Sequence, residues 1–253
     1  MKKAFFLIFI GSLIFLTACK KSSPAPKVIT TRIGNVYDDS SRISTLYYYS
    51  PTYLLDGSYD DSGRNSLQCH YLNGQSVTNV SLHYALQNYL LYFWNNQSLA
   101  DSSNILSSTG GLEIRKKFSY DNNGFLTGVK WYNHGNSLVL TETFTVSGGN
   151  ITQHTYNVID TSNATLPRGS YAYSYYSGNK NTLGNVYFGQ PYLGASSANP
   201  VKSSTYTYGS TSSTVDYTYH YSNGCISSQL IYADSAGIGT TRIDSLSFGY
   251  YIQ

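Results

Sequence analysis

Charge is what this chain has least of. Asp, Glu, Lys and Arg make up 11% of its 253 residues, where soluble domains ordinarily carry about 25%. Glutamate occurs only at Glu113 and Glu142, and Met1 is the only methionine. Alanine is sparse too, so the strong helix formers are largely missing and helical architectures are disfavoured. Beyond the first 16 residues no apolar run reaches the roughly 20 residues of a membrane-spanning helix. The net charge of +3 falls to +1 once Lys2 and Lys3 leave with the leader described below. That balance gives no pull toward nucleic acid, and none is expected as a partner.

Ser, Thr, Asn, Gly and above all Tyr take the place of the missing charge; Tyr alone accounts for 27 residues. Tyr and Thr fit a pleated, half-buried surface, and Asn, Ser and Gly fit turns. The composition therefore favours β structure.

The N-terminus is the sharpest signal. Lys2 and Lys3 precede an apolar stretch over residues 4–16, too short to span a bilayer and suited to a secretory signal. Leu16-Thr17-Ala18-Cys19 follows at once. This resembles the bacterial lipobox, which implies cleavage after residue 18 and lipidation of Cys19. More than one acyl chain on that cysteine holds a protein stably on a membrane. Residues 19–30, with Lys20-Lys21-Ser22-Ser23-Pro24, cannot bury a core and read as a flexible tether. Residues 31–253 form one domain, about 220 residues long. With Cys19 lipidated, only Cys69 and Cys225 remain. An oxidising compartment allows a disulfide between them; two separate buried thiols are the alternative.

Along the domain a Tyr-containing strand repeatedly runs into a Gly-bearing turn. The clearest copies are Tyr59-Asp60-Asp61-Ser62-Gly63-Arg64 and Tyr120-Asp121-Asn122-Asn123-Gly124-Phe125, with a degenerate one at Tyr37-Asp38-Asp39-Ser40-Ser41-Arg42. Tyr71-Leu72-Asn73-Gly74, Val146-Ser147-Gly148-Gly149, Tyr176-Ser177-Gly178-Asn179 and Tyr221-Ser222-Asn223-Gly224 keep the turn without the Asp. The Asp caps backbone N–H groups ahead of it, and Gly supplies the positive φ of a type I turn with a G1 bulge. Flanking segments alternate with period two, as in Tyr217-Thr218-Tyr219-His220-Tyr221. The expected fold is all-β: an antiparallel meander of hairpins forming a curved single-layer or partly rolled sheet. Residues 80–94 fit both a helix and a hairpin turning near Gln87-Asn88; the β-rich context favours the hairpin. Long polar loops are expected at 95–112, 160–170 and 178–203, the last a place for binding or a plain connector packed through Phe188 and Tyr192.

The Y-D-x-x-G-R hairpins, the lipobox and Asn199-Pro200-Val201-Lys202 together resemble an uncharacterised Bacteroidetes family of outer-envelope lipoproteins with units similar to YD repeats. The likeness covers residues 32–76, 115–132 and 199–250. It implies a curling antiparallel sheet at the outer membrane or cell surface, and it carries over no functional residues. Lipoproteins sent to the outer surface of such bacteria tend to bear acids just after the cysteine. Lys20 and Lys21 stand there instead, which leans toward the periplasmic face.

Catalytic patterns are missing. There is no G-x-S-x-G or H-E-x-x-H, and His70, His83, His134, His154 and His220 are scattered. Asp56, Glu113, Glu142, Asp216 and Asp244 remain outside turns without a pairing signal. Asp121-Asn122-Asn123-Gly124 is half an EF-hand loop without the remaining ligands. No enzyme activity, cofactor or metal is expected. The leading expectation is a binding or adhesion module that takes glycans or envelope components on a Tyr- and Trp-rich face. Trp94, Trp131, Tyr132, Tyr173 and Tyr175 are its stacking candidates; cross-strand aromatic packing is the competing role. The alternative function is assembly with another envelope protein through a sheet edge or the 80–94 segment, and a hydrolase is the third reading, disfavoured by the missing catalytic constellation. Asp234-Ser235-Ala236 and Asp244-Ser245-Leu246 match a short O-glycosylation pattern, which makes Ser235 and Ser245 candidates.

Overall fold

The structure is a computed structural model that describes residues 31–38, 41–48, 55–59, 65–72, 75–81, 87–107, 109–187, 190–235 and 239–252; of these, side chains are described over 90–107, 109–187, 190–233, 245–248 and at 250. The leader, the tether and the turns at 39–40, 60–64 and 73–74 lie outside it, as do Phe188 and the side chains of Cys69 and Ser235.

The described residues form sixteen strands in one antiparallel meander. In chain order they are β1 (Thr31–Asp38), β2 (Ser41–Tyr48), β3 (Leu55–Tyr59), β4 (Asn65–Leu72), β5 (Gln75–Ser81), β6 (Gln87–Trp94), β7 (Ala100–Leu106) and β8 (Leu112–Tyr120). There follow β9 (Leu126–Asn133), β10 (Leu138–Ser147), β11 (Asn150–Val158), β12 (Gly169–Tyr175), β13 (Val201–Tyr208), β14 (Thr211–Ser222), β15 (Cys225–Ser235) and β16 (Gly239–Ile252). Each strand pairs with its sequence neighbours, and β1 pairs with β16 from Thr31↔Ile252 to Asp38↔Leu246, closing a barrel. The expected all-β antiparallel meander is thus present, and its roll runs to completion.

The turn at Asp121 is as read. Asp121 Oδ1 accepts from the backbone N–H of Asn123 (2.8 Å) and Phe125 (2.9 Å), and Gly124 takes φ +80° with a bulge at Tyr120. Two turns without Asp differ. Ser147↔Asn150 and Ser222↔Cys225 enclose two-residue loops with positive φ at both positions, Gly148-Gly149 and Asn223-Gly224. That is the primed geometry matching strand twist, not a G1 bulge. Within 80–94, Val80-Ser81 and Gln87–Trp94 are antiparallel strand, Ser81 pairing with Gln87, in line with the hairpin reading; residues 82–86 lie outside the described residues, and Gln87-Asn88 are paired strand positions, not the turn. Tyr176-Ser177-Gly178-Asn179 opens no hairpin. It leads into residues 176–200, which cross one end of the barrel with a single short 3-10 turn, Pro191–Leu193.

Alternation sorts the walls. On β10 Glu142 is buried and Phe144 and Val146 half-buried, while Thr143, Thr145 and Ser147 are exposed. Inward positions of β8–β12 include Phe118, Val129, Trp131, Leu140, Tyr156, Tyr171 and Tyr173. Exposed outward positions include Lys117, Ser119, Lys130, Gln153, Asn157, Ala172, Ser174, Lys202, Thr218 and His220; Leu112, Tyr208 and Tyr221, near strand ends, are exposed as well. A membrane-spanning barrel shows the reverse, an apolar outer band about 25 Å tall.

Both ends are filled by chain. The 159–168 connection seats Leu166 on Val139 and Leu140, with Trp131, Tyr156 and Val158 against them. At the other end, 176–200 is bonded to the tight turns: Ala195 N–H donates to Gly124 O (2.8 Å), Ala198 N–H to Gly149 O (2.9 Å), and Ile226 N–H to Thr182 Oγ1 (2.8 Å). Tyr192, 1% exposed, stacks on Trp94 with ring centroids 5.3 Å apart. Gly194, at φ +93°, passes so close that a Cβ would lie 2.6 Å from Gly124 O and 2.7 Å from the Tyr120 ring. Gly194→Ala is therefore expected to lower unfolding free energy by about 2 kcal/mol or more in urea denaturation. Gly178→Ala, with similar φ and open space around it, is expected to cost only about 1 kcal/mol.

Candidate functional site: an aromatic-walled cavity inside the barrel

Two inward-facing constellations stand out. The first is polar and closed. Glu142 and His154, each 8% exposed, lie on the paired strands β10 and β11. His154 Nε2 is 2.8 Å from Glu142 Oε2, and Trp131 Nε1 donates to Glu142 Oε1 at 2.5 Å. Lys116 Nζ sits 3.7 Å from the centre of the Trp131 ring. Burial lowers the Lys116 pKa, against the opposing pull of the Glu142 carboxylate. Phe144 stacks on His154 with centroids 4.3 Å apart, and Tyr156 closes the other side at 4.3 Å. The carboxylate and imidazole converge as an acid–base pair would. Yet each is packed against rings, and the contacts satisfy the buried carboxylate, as buried charge requires.

The second constellation is open space. A cavity of about 460 Å3 lies between the cap at 176–200 and strands β12–β16. The cap contributes Asn181, Leu183 and Pro200; the wall contributes Tyr173, Val201, Ser204, Tyr217, Tyr219, Gln229, Leu246 and Phe248. The polar groups are pre-positioned by one another. Gln229 Nε2 donates to Tyr219 OH (3.2 Å), Ser204 Oγ lies 3.2 Å from Tyr217 OH, and Tyr176 OH donates to the Tyr217 carbonyl (2.8 Å). Burial pushes the Tyr173 and Tyr219 hydroxyls upward from their ordinary pKa, the Gln229 bond pulling Tyr219 the other way. No charged side chain is among the lining residues. The volume and mixed lining are those of a small-molecule site. A ladder of rings, His154–Tyr171 at 6.0 Å and Tyr171–Tyr173 at 6.1 Å, joins the two constellations.

The stacking candidates divide. Trp94 packs under Tyr192 of the cap, Trp131 bonds Glu142, and the Tyr175 hydroxyl donates to the Ile151 carbonyl and lies 3.0 Å from Ser197 Oγ. Tyr173 alone of the five reaches the cavity. Tyr132 lies on the outer wall beneath Arg115, whose guanidinium carbon is 5.0 Å from the ring centre. Cys225 is a free thiol, pushed up in pKa by burial. Four strands separate β15 from β4, which carries Cys69, so the barrel order does not bring the pair together. Ser245 sits half-buried in the β15–β16 ladder opposite Leu230. Sequence reading missed Tyr217, Tyr219 and Gln229, although the alternation Tyr217-Thr218-Tyr219 already put both tyrosines on one face. It also missed the Glu142–His154 contact.

No protein-family model matches the chain, and no curated protein matches it. Solved structures do. A porin-like protein from Bacteroides uniformis superposes with a TM-score of 0.64 at 15% identity, covering 88% of this chain and 99% of that one. A porin-like protein from Bacteroides vulgatus gives 0.53 at 11% identity, over 88% of this chain and 100% of that one. The chain shares the fold of these Bacteroides proteins over nearly their whole length.

The interior tyrosines set an alkaline limit. Burial pushes Tyr120, Tyr156 and Tyr250 up to about 12, against about 10 in an unfolded chain. Between these values the unfolded state binds fewer protons, so stability falls with pH. Below pH 10 their contribution is complete; it is lost as pH rises toward 12. Circular dichroism and tyrosinate absorbance are expected to change together in one cooperative step within that window. Tyrosinate appearing stepwise before the loss of β signal would contradict the interior placement.

Proposed function

We propose that this chain is a lipid-tethered, non-catalytic binding protein of the bacterial envelope, held at the outer membrane by Cys19 with its domain on the periplasmic face. Its ligand is a neutral, ring-bearing small molecule such as a short sugar, enclosed within the barrel. One observation carries this reading: the 460 Å3 cavity presents Tyr hydroxyls, Ser204, Gln229 and Asn181 beside Leu183, Leu246 and Phe248, with no charge. Aromatic faces take the apolar side of a ring, and fixed hydroxyls and amides take its polar edge. The Glu142–His154 pair does not argue for hydrolysis, because rings occupy its surroundings and no nucleophile joins it. The porin-like Bacteroides folds and the lipobox support an envelope setting. The paired β1–β16 seam leaves no open edge there for an assembly role, which would then rest on the 80–94 segment.

A panel of neutral mono- and oligosaccharides screened by thermal shift checks the reading. At least one is expected to raise the melting temperature in a concentration-dependent way. Ser204→Phe, which fills the cavity from its wall, is expected to abolish that shift while leaving the β spectrum intact. A shift of unchanged size in Ser204→Phe would place the ligand elsewhere.

A further inference from the structure

The outer wall carries a feature that the cavity does not use. Lys117 on β8 and Lys130 on β9 are directly opposed across the ladder, and both are exposed. Like charges facing each other across a sheet destabilise it, and nothing neutralises these two. Among the described residues, neither lysine makes a hydrogen bond or ion pair, and the sole ion pair is His154–Glu142 inside the barrel. Asp101 and Glu113, the nearest acids along the strands, pair with neither. On the next outward rung Arg115 faces Tyr132. Arg115 is held by its cation–π contact with that ring and by a hydrogen bond to Asn136 Oδ1. Phe93 flanks Lys117 through Ser102 on the rung of the lysines.

Three cations with two rings, on a wall whose exposed neighbours are Ser119, Thr143 and the single acid Glu113, form a basic and aromatic patch. We infer that this patch binds an acidic glycan, one bearing uronate or phosphate groups along a chain of sugar rings. The lysine pair and Arg115 meet the anionic groups, Tyr132 and Phe93 offer faces to the rings, and Ser102 and Thr141 beside the lysines meet hydroxyls. A ligand anion between Lys117 and Lys130 removes the repulsion that the free wall holds. The patch lies on β6–β9, on the opposite side of the ring from β1 and β16. The outward wall there carries lysines in place of a broad apolar surface, which fits a polymer in water better than a membrane.

Binding of polygalacturonate to the full mature protein tests this, with dextran as the neutral counterpart and vesicles of anionic phospholipid as a third probe. Polygalacturonate is expected to bind, to weaken as salt is raised, and to lose at least tenfold in affinity in Lys117→Ser/Lys130→Ser. That double variant is expected to melt at the same or a higher temperature, since it removes a repulsion. Lys117→Arg/Lys130→Arg is expected to keep the binding. Ser204→Phe is expected to bind the polymer normally, which separates this site from the cavity. Salt-independent binding, no binding, equal binding of dextran, undiminished affinity in the serine variant, or tighter binding to the vesicles would each overturn the assignment.

Discussion

A sheet that closes on itself has an inside, and in this protein the inside has to be filled by side chains of limited variety. Pairing of β1 with β16 fixes that requirement. With 27 tyrosines and no methionine beyond Met1, the chain fills much of that space with tyrosine. A tyrosine buries a large ring and brings a hydroxyl that needs a partner. Much of the interior is therefore a set of solved hydroxyl problems. Tyr250 donates to Ile226 O at 2.6 Å, Tyr206 to Arg168 O at 2.9 Å, and Tyr176 to Tyr217 O. The 176–200 segment follows from the same constraint. Walls alone leave the end open, so a Gly- and Asn-rich stretch folds across it and bonds to three tight turns. The cavity is the part of the interior that neither walls nor cap occupy.

The same alternation that packs the inside decides the outside. Thr, Ser, Asn, Gln and Lys occupy most exposed positions of β8–β14, with Leu112, Glu113, Ala172, Tyr208, His220 and Tyr221 among the rest. A lysine facing lipid near the bilayer midplane costs about 2–4 kcal/mol, and two stand opposed on adjacent strands here. The barrel shares its fold with porin-like proteins, but its described outer wall is built for water.

Much of the fold was legible because turns and alternation are local. Asp121-Asn122-Asn123-Gly124 sets its hairpin through its own side chain and its own φ angles, and the structure reproduces both. Closure was not legible: the partner of β1 lies more than 200 residues away, and no local pattern encodes it. The polar cluster was hidden by one residue. Counted back from the Gly148-Gly149 turn, Glu142 falls opposite Thr155 and His154 opposite Thr143. A bulge between Thr145 and Val146 shifts the register, so Glu142 faces Tyr156 and His154 faces Phe144. The shift moves both polar groups to the same face and into contact. The cavity was invisible for a different reason. Its walls are ordinary alternating positions, and its lid is a segment whose composition reads as a connector.

The account stands on an apolar, aromatic interior and a polar exterior. Its most direct measurement is the folding of the unlipidated domain, with Cys19 replaced by Ala, in buffer without detergent. Sedimentation and thermal melting followed by circular dichroism should show a discrete soluble species with β structure and a cooperative transition. A protein that aggregates in buffer and acquires β structure only in detergent micelles or lipid would contradict the account, because its outer wall would then have to face hydrocarbon.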